Sequence, residues 1–164
     1  MLHSSTEFVK GVTLLSADEA ENLLTEEQRK CRISKNANTV EDSSFLRNNN
    51  CYWWLRTPGK DTDYISYVDY IGNIHRDGGY VFNLAHARPA LIIDYDKLNN
   101  FGIGIGDSFG FGDYTFTIIS DKYALCDEAI KLIAFRKDYT AENANNYEYS
   151  DIKEYLDSWF EENM

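Results

Sequence analysis

Two adjacent tryptophans stand in the string Cys51-Tyr-Trp-Trp-Leu-Arg-Thr-Pro-Gly59, and no other stretch limits the possible architecture as strongly. Residues 52–55 read as a buried strand that ends at the Thr57-Pro58-Gly59 turn. Arg56 follows this apolar run directly, so its guanidinium needs carboxylates or backbone carbonyls if it is buried. A second string, Ala87-Arg-Pro-Ala-Leu-Ile-Ile93, sets Arg88 against an almost continuous apolar segment. Residues 90–95 therefore read as a strand covered on both faces, central in its sheet.

The composition is that of a folded chain. Aromatic residues make up 15 % of the 164, with twelve Tyr, nine Phe and three Trp, against only two Pro. One domain of this length can bury a core without staples. A net charge of −11 repels nucleic-acid backbones and anionic membranes, which excludes both as expected partners. Basic proteins, glycans and neutral small molecules stay compatible, and an acidic surface can also imitate nucleic acid towards a basic protein. Cys31, Cys51 and Cys126 are odd in number and lack CxxC spacing, which implies free thiols in a reducing compartment. The first ten residues have no apolar leader pattern, and no run approaches a membrane span; cytoplasmic residence is the expectation.

Along the chain, residues 8–15 read as a short strand entering a helix, with Ser16 and Glu19 as a capping box. Ala20, Leu23 and Leu24 form one apolar face of that helix, which ends in the charged residues 26–30. Residues 32–50 are polar and read as loop. Residues 64–70 and 79–82 read as meander strands flanking 71–74, with tight turns at Gly72 and at Asp77-Gly78-Gly79. Composition shifts at Asn99-Asn100, and the glycine-rich run 102–112 precedes strands at 114–120 and 123–126. Residues 127–139 fit either a strand or a short helix. Ser150 caps a final helix whose Ile152, Tyr155, Leu156, Trp159 and Phe160 fall on one stripe.

The two strings resemble a bacterial family, domain of unknown function 6273, whose members read roughly WWLRSPG and later GVRPALW. The order of the blocks differs. Asp107-Ser-Phe-Gly-Phe-Gly-Asp-Tyr-Thr-Phe-Thr-Ile-Ile119 is similar to the usual opening of that family, and the segment Tyr149-Ser-Asp-Ile-Lys-Glu-Tyr-Leu-Asp-Ser-Trp-Phe160 to its next block. Residues 1–98 match the family's later half and 103–164 its first half, with the join at 99–105. The resemblance implies one circularly permuted domain over 1–164; a slice of a repeat array and a homodimer that exchanges halves are the rival arrangements. More distantly, the pattern is similar to C-type-lectin-like domains, including those of formylglycine-generating enzymes. The Gly-Phe-Arg-Cys, Trp-Asn-Asp and Glu-Pro-Asn motifs of catalytic and calcium-binding members are absent, and the resemblance implies neither activity.

Candidate chemistry is sparse. The glycine run leads into a strand rather than a helix and lacks Gly-Lys-Ser/Thr, so it reads as turns rather than a phosphate loop. His75 and His86, with Asp69, Arg76 and Asp77 nearby, have no metal-ligand spacing, and Asp61/Asp63 and Asp94/Asp96 lack a calcium loop. Neither a metal nor a cofactor is expected. Tyr64, Tyr67, Tyr70, Tyr80 and Phe82, interspersed with Asn and Ser, have the composition of an adaptable recognition surface.

These readings converge on an α+β fold, a small mostly antiparallel sheet with flanking helices and long loops, C-type-lectin-like and permuted. The function expected is a non-catalytic module that binds a protein or glycan through loops 60–86. Its candidate contacts are Trp53, Arg56, Tyr64, Tyr67, Tyr70, His75, Tyr80 and Arg88. The alternatives are an acidic decoy of a basic protein and an enzyme with a cryptic site near Arg56, His75 and His86.

Overall fold

The computed structural model describes residues 5–35 and 45–164. Part of the loop expected over 32–50 falls on 36–44, outside the described residues. A 3-10 turn at Ser5–Glu7 leads into β1 (Val9–Thr13), and Ser16 then caps α1 (Ala17–Leu23). The predicted capping box is present: the Ser16 hydroxyl accepts the Glu19 N–H at 3.1 Å, and the Glu19 carboxylate accepts the Ser16 N–H at 2.8 Å. The helix does not continue to residue 30 as the apolar face implied. Thr25 and Gln28 form a second capping box that starts α2 (Glu26–Arg29), so the segment is two short helices.

Next come β2 (Arg32–Ile33), β3 (Leu46–Arg47) and β4 (Asn50–Cys51). Asn48 and Asn49 turn the β3–β4 hairpin with φ of 54° and 67°, the left-handed pair that a tight hairpin of right-twisted strands requires. The middle of the chain supplies β5 (Trp53–Pro58), β6 (Tyr64–Val68), β7 (Ile74–Tyr80), β8 (Leu84–Ala87) and β9 (Ala90–Ile93). Asp94 caps α3 (Tyr95–Asn100), and β10 (Ser108–Phe111), β11 (Tyr114–Ile118) and β12 (Tyr123–Cys126) follow. The ambiguous stretch after 127 opens as strand, in β13 (Glu128–Ala129) and β14 (Lys131–Ala134). A 3-10 turn at Tyr147–Tyr149 then precedes α4 (Asp151–Asn163), capped by Ser150.

The architecture is α+β with two five-stranded sheets rather than one small sheet. Their orders are β1-β9-β12-β11-β10 and β14-β8-β5-β6-β7, with two-stranded ladders β13-β2 and β3-β4. The first sheet is antiparallel throughout; the second is antiparallel except for β5 beside β8, where Trp53 lies opposite His86. The predicted centrality of residues 90–95 holds for β9, flanked by β1 and β12. Asp77-Gly78-Gly79 is not a turn but part of β7. Gly78 has φ +88°, and a Cβ there would sit 2.6 Å from the Ile65 carbonyl oxygen, so glycine serves a close strand approach.

Adjacent side chains on β5 point to opposite faces, and two cores result. Trp54 joins Leu14, Leu91, Phe111, Phe116, Phe135 and the helix residues Ile152, Leu156 and Trp159. Trp53 joins Leu15, Ala20, Leu24, Leu55, Val68 and Leu125 on the other side. Helix α4 rests on β1 and β14, with Trp159 5.5 Å from Phe111 and 6.2 Å from Phe116, ring centre to ring centre.

Candidate functional site

The two opening strings sit beneath the surface and tie distant segments together. Trp53 is fully buried; its indole N–H donates to the Arg29 carbonyl at 2.8 Å, and the Arg88 guanidinium lies over its ring at 4.9 Å. Arg88 is 6 % exposed and donates to the carbonyls of Cys126 (2.8 Å) and Gln28 (3.1 Å). Backbone carbonyls and an aromatic face together satisfy this buried cation. Arg56 donates through Nη1 to the Leu14 carbonyl at 2.5 Å and to the Glu19 carboxylate at 2.6 Å. Burial pushes the Glu19 carboxyl up, but Arg56 and the Ser16 N–H outweigh it and hold the pKa near 2.

The tyrosines occupy a different place. Tyr64 meets Tyr80 edge-on at 4.6 Å, Tyr80 stacks on Phe82 at 5.0 Å, and Phe82 meets Tyr139 at 5.0 Å. Tyr80, Phe82 and Tyr139 are 41 %, 40 % and 53 % exposed, and Leu84 beside them is 41 % exposed. The Tyr64 hydroxyl bonds that of Tyr80, which with burial and the nearby Asp63 and Asp61 pushes its pKa up to about 12. The row is held by backbone: Val81 N–H donates to Asp63, Arg136 N–H to Val81, and the Asn145 amide to the carbonyls of Asp61 and Tyr64. The loop carrying Tyr139 is thereby fastened to the turn before β6.

Beside the row lies an open groove of about 320 Å³ lined by Phe45, Tyr52, Trp54, Tyr67, Gly79, Asn83, Leu84 and Ala85. Trp54 forms its floor, with the indole N–H fixed on the Ile133 carbonyl at 2.8 Å. His75 stacks on Tyr67 at 4.5 Å with planes 5° apart, and its Nε2 is 2.7 Å from the Asp69 carboxylate. Asp69 also accepts the N–H groups of Ile71 and Asn73, which shapes the turn at Gly72. Burial raises the Asp69 pKa, but His75 and these two N–H groups outweigh it and leave the carboxyl below its ordinary value. Tyr70 packs edge-on against Tyr52 at 5.8 Å.

The structure divides the predicted residues: Tyr64 and Tyr80 pair in the row, Tyr67, Tyr70 and His75 belong to a second group around Tyr52 and Tyr67, and Trp53, Arg56 and Arg88 lie apart from both. Arg56 and His75 share no partner, and His86 is fully buried in β8. Among the described residues, no arginine or histidine lines the groove. Sequence reading missed Tyr139, Tyr52 and Leu84. Tyr139 lies far along the chain in a segment without periodicity, and only the tertiary fold brings it to Phe82. Among the described residues no group of three or more His, Cys, Asp or Glu is placed to hold a metal ion, and all three cysteines are free and buried. No helix among them is long and apolar enough to cross a membrane.

Comparison with known proteins places the chain in one family. Residues 2–95 match the model of the family described as "Domain of unknown function (DUF6273)", and the chain belongs to that family. No curated protein and no solved structure matches it. The matched segment ends just after β9, yet β9 pairs with β12 and β8 with β14, so both large sheets also take strands from beyond it.

Proposed function

We propose that the protein is a non-catalytic binding module that engages a protein or glycan through the ring row Tyr64–Tyr80–Phe82–Tyr139 and the groove beside it. The row carries this reading. Four rings in mutual contact, three of them well exposed and tied down by backbone hydrogen bonds, supply contact area that is already ordered before a ligand arrives. Tyr67 lines the groove with His75 stacked on it, Tyr70 packs on Tyr52 beside it, and Trp53, Arg56 and Arg88 hold the interior. The test is capture from lysate of the source organism, run beside a glycan array. A Tyr80→Ala/Phe82→Ala/Tyr139→Ala variant is compared with wild type and with Tyr149→Ala, an exposed ring elsewhere. Loss of retention in the triple variant alone is expected; equal retention by all three sinks the proposal.

One observation favours the decoy reading as second choice. Glu148, Glu154, Asp157 and Glu161 line one trough along α4, with only Lys153 among them to offset the charge. If this face engages a basic protein, charge reversal at Glu154 and Glu161 abolishes capture while the triple ring variant leaves it intact.

For the fold, we read the chain as one permuted, C-type-lectin-like domain joined at 99–105, in a cytoplasmic setting that accords with three free thiols. One observation supports a single domain formed within one chain: α4 packs on β1 of the same chain.

A further inference from the structure

The groove has a chemical character of its own. Its walls are rings set nearly at right angles: Tyr52 meets Tyr67 at 5.8 Å with planes 77° apart, and Trp54 meets Tyr67 at 6.5 Å and 82°. Phe45 adds a fourth ring, and Gly79, Leu84 and Ala85 complete an apolar lining. Perpendicular rings direct electron-rich faces along more than one axis, so a compact cation in the corner meets more than one of them.

The walls are also rigid. Trp54 is pinned through Nε1 to Ile133, and His75, held by Asp69, backs Tyr67 in a parallel stack. A Cβ at residue 79 would stand 3.2 Å from Tyr67 Cε1, so glycine leaves that ring its position. Such a box costs little reorganisation on binding.

Charge selects among occupants. Among the described residues, neither a basic nor an acidic side chain lines the groove. An anion entering would meet ring faces and a chain of net charge −11, both repulsive. The Tyr67 hydroxyl titrates higher than usual, first because of burial and then because of the neighbouring Tyr52 and the Asp69 carboxylate. Among the described residues, a neutral sugar would find only Asn83 and tyrosine hydroxyls as polar lining partners. An alkylammonium group gains from the faces and from the long-range field at once.

We propose that the groove is an aromatic cage for the ammonium end of a lysine side chain presented by a basic protein partner, its methylene stem lying along Leu84 and Ala85. This inference rests on the binding-module reading and names its ligand chemistry. N-Methylation of the lysine strengthens the fit, because it spreads the charge and lowers the cost of removing it from water.

Two short peptides of identical basic sequence test this, one carrying trimethyllysine and one its neutral carbon isostere with a tert-butyl end. Both are titrated into the full chain at low salt, with the Trp54 indole N–H and the Gly79 amide followed by NMR. The expected result is saturable shifts at both reporters and roughly tenfold tighter binding of the cationic peptide. Binding of the two peptides within twofold overturns the cage but leaves an aromatic binding face. Absence of shifts with either peptide at millimolar concentration also overturns it, and the binding-module reading then stands or falls on the triple ring variant. Tetramethylammonium alone binding as tightly as the trimethyllysine peptide overturns the assignment to a protein partner.

Discussion

Glu19 shows how one side chain can serve two structural devices. It completes the helix cap with Ser16 and neutralises Arg56, which in turn closes the chain end of β1 through Leu14. Its folded pKa near 2 lies below the ordinary value of 4.5. A depressed carboxyl stabilises the fold above its unfolded pKa, and that stability is lost as pH falls from about 4.5 towards 2. After the screening suffered by a partly exposed pair, the contribution is roughly 1–2 kcal/mol. Urea unfolding of Glu19→Gln at pH 7 should show about that loss, and the difference from wild type should vanish near pH 2. Arg88 is the harsher test. Arg88→Ala leaves the Cys126 and Gln28 carbonyls without their donor and uncovers the Trp53 face. The expected cost is about 2–4 kcal/mol, read as a lower urea midpoint.

At the scale of elements, helix α4 depends on its cap and its stripe. Ser150 accepts the Lys153 N–H at 3.1 Å, and Leu156 is fully buried. Ser150→Ala should cost about 1 kcal/mol and Leu156→Ala about 2–5 kcal/mol in chemical denaturation, a contrast that separates capping from packing. Both features are visible in sequence because they are local: a hydroxyl three residues from its partner, and a period set by helix geometry. The capping box at Ser16 is visible for the same reason. Thr25 with Gln28 carries an equal local signal, but the apolar face of Ala20, Leu23 and Leu24 masked it. Strand pairing is different. Nothing in residues 84–87 indicates that β8 lies parallel to β5 and antiparallel to β14. Gly78-Gly79 has turn chemistry by composition, yet its freedom is used for close approach to Ile65 and Tyr67. The site divides likewise. Tyr64, Tyr67, Tyr70 and Tyr80 cluster in sequence but divide in space, Tyr64 with Tyr80 and Tyr67 and Tyr70 around Tyr52, whereas Tyr139 reaches Phe82 only through the loop that Asn145 fastens down.

At the scale of the whole molecule, the family segment and the remainder form a shared structure. Residues 2–95 hold β1 and β9 but lack β12, and hold β8 but lack β14. Expressed alone, that segment exposes two sheet edges and the apolar faces that α4 and Phe116 cover. It should show no cooperative thermal transition, whereas the full chain should show one. The three thiols are placed in the same shared interior, all at most 1 % exposed, and burial pushes Cys126 up to about 12. Reaction with a disulfide reagent should therefore track global unfolding in urea rather than precede it. On the binding proposal the residues divide by role: the tryptophan and arginine strings hold the two sheets, with Trp54 also lining the groove, and recognition falls to the outward tyrosine row. The footprint of a captured partner, mapped by amide hydrogen exchange, tests that division most directly. Protection is expected over 64–84 and around Tyr139, with the α4 trough unchanged; protection confined to α4, with exchange over 64–84 unaltered, would contradict it.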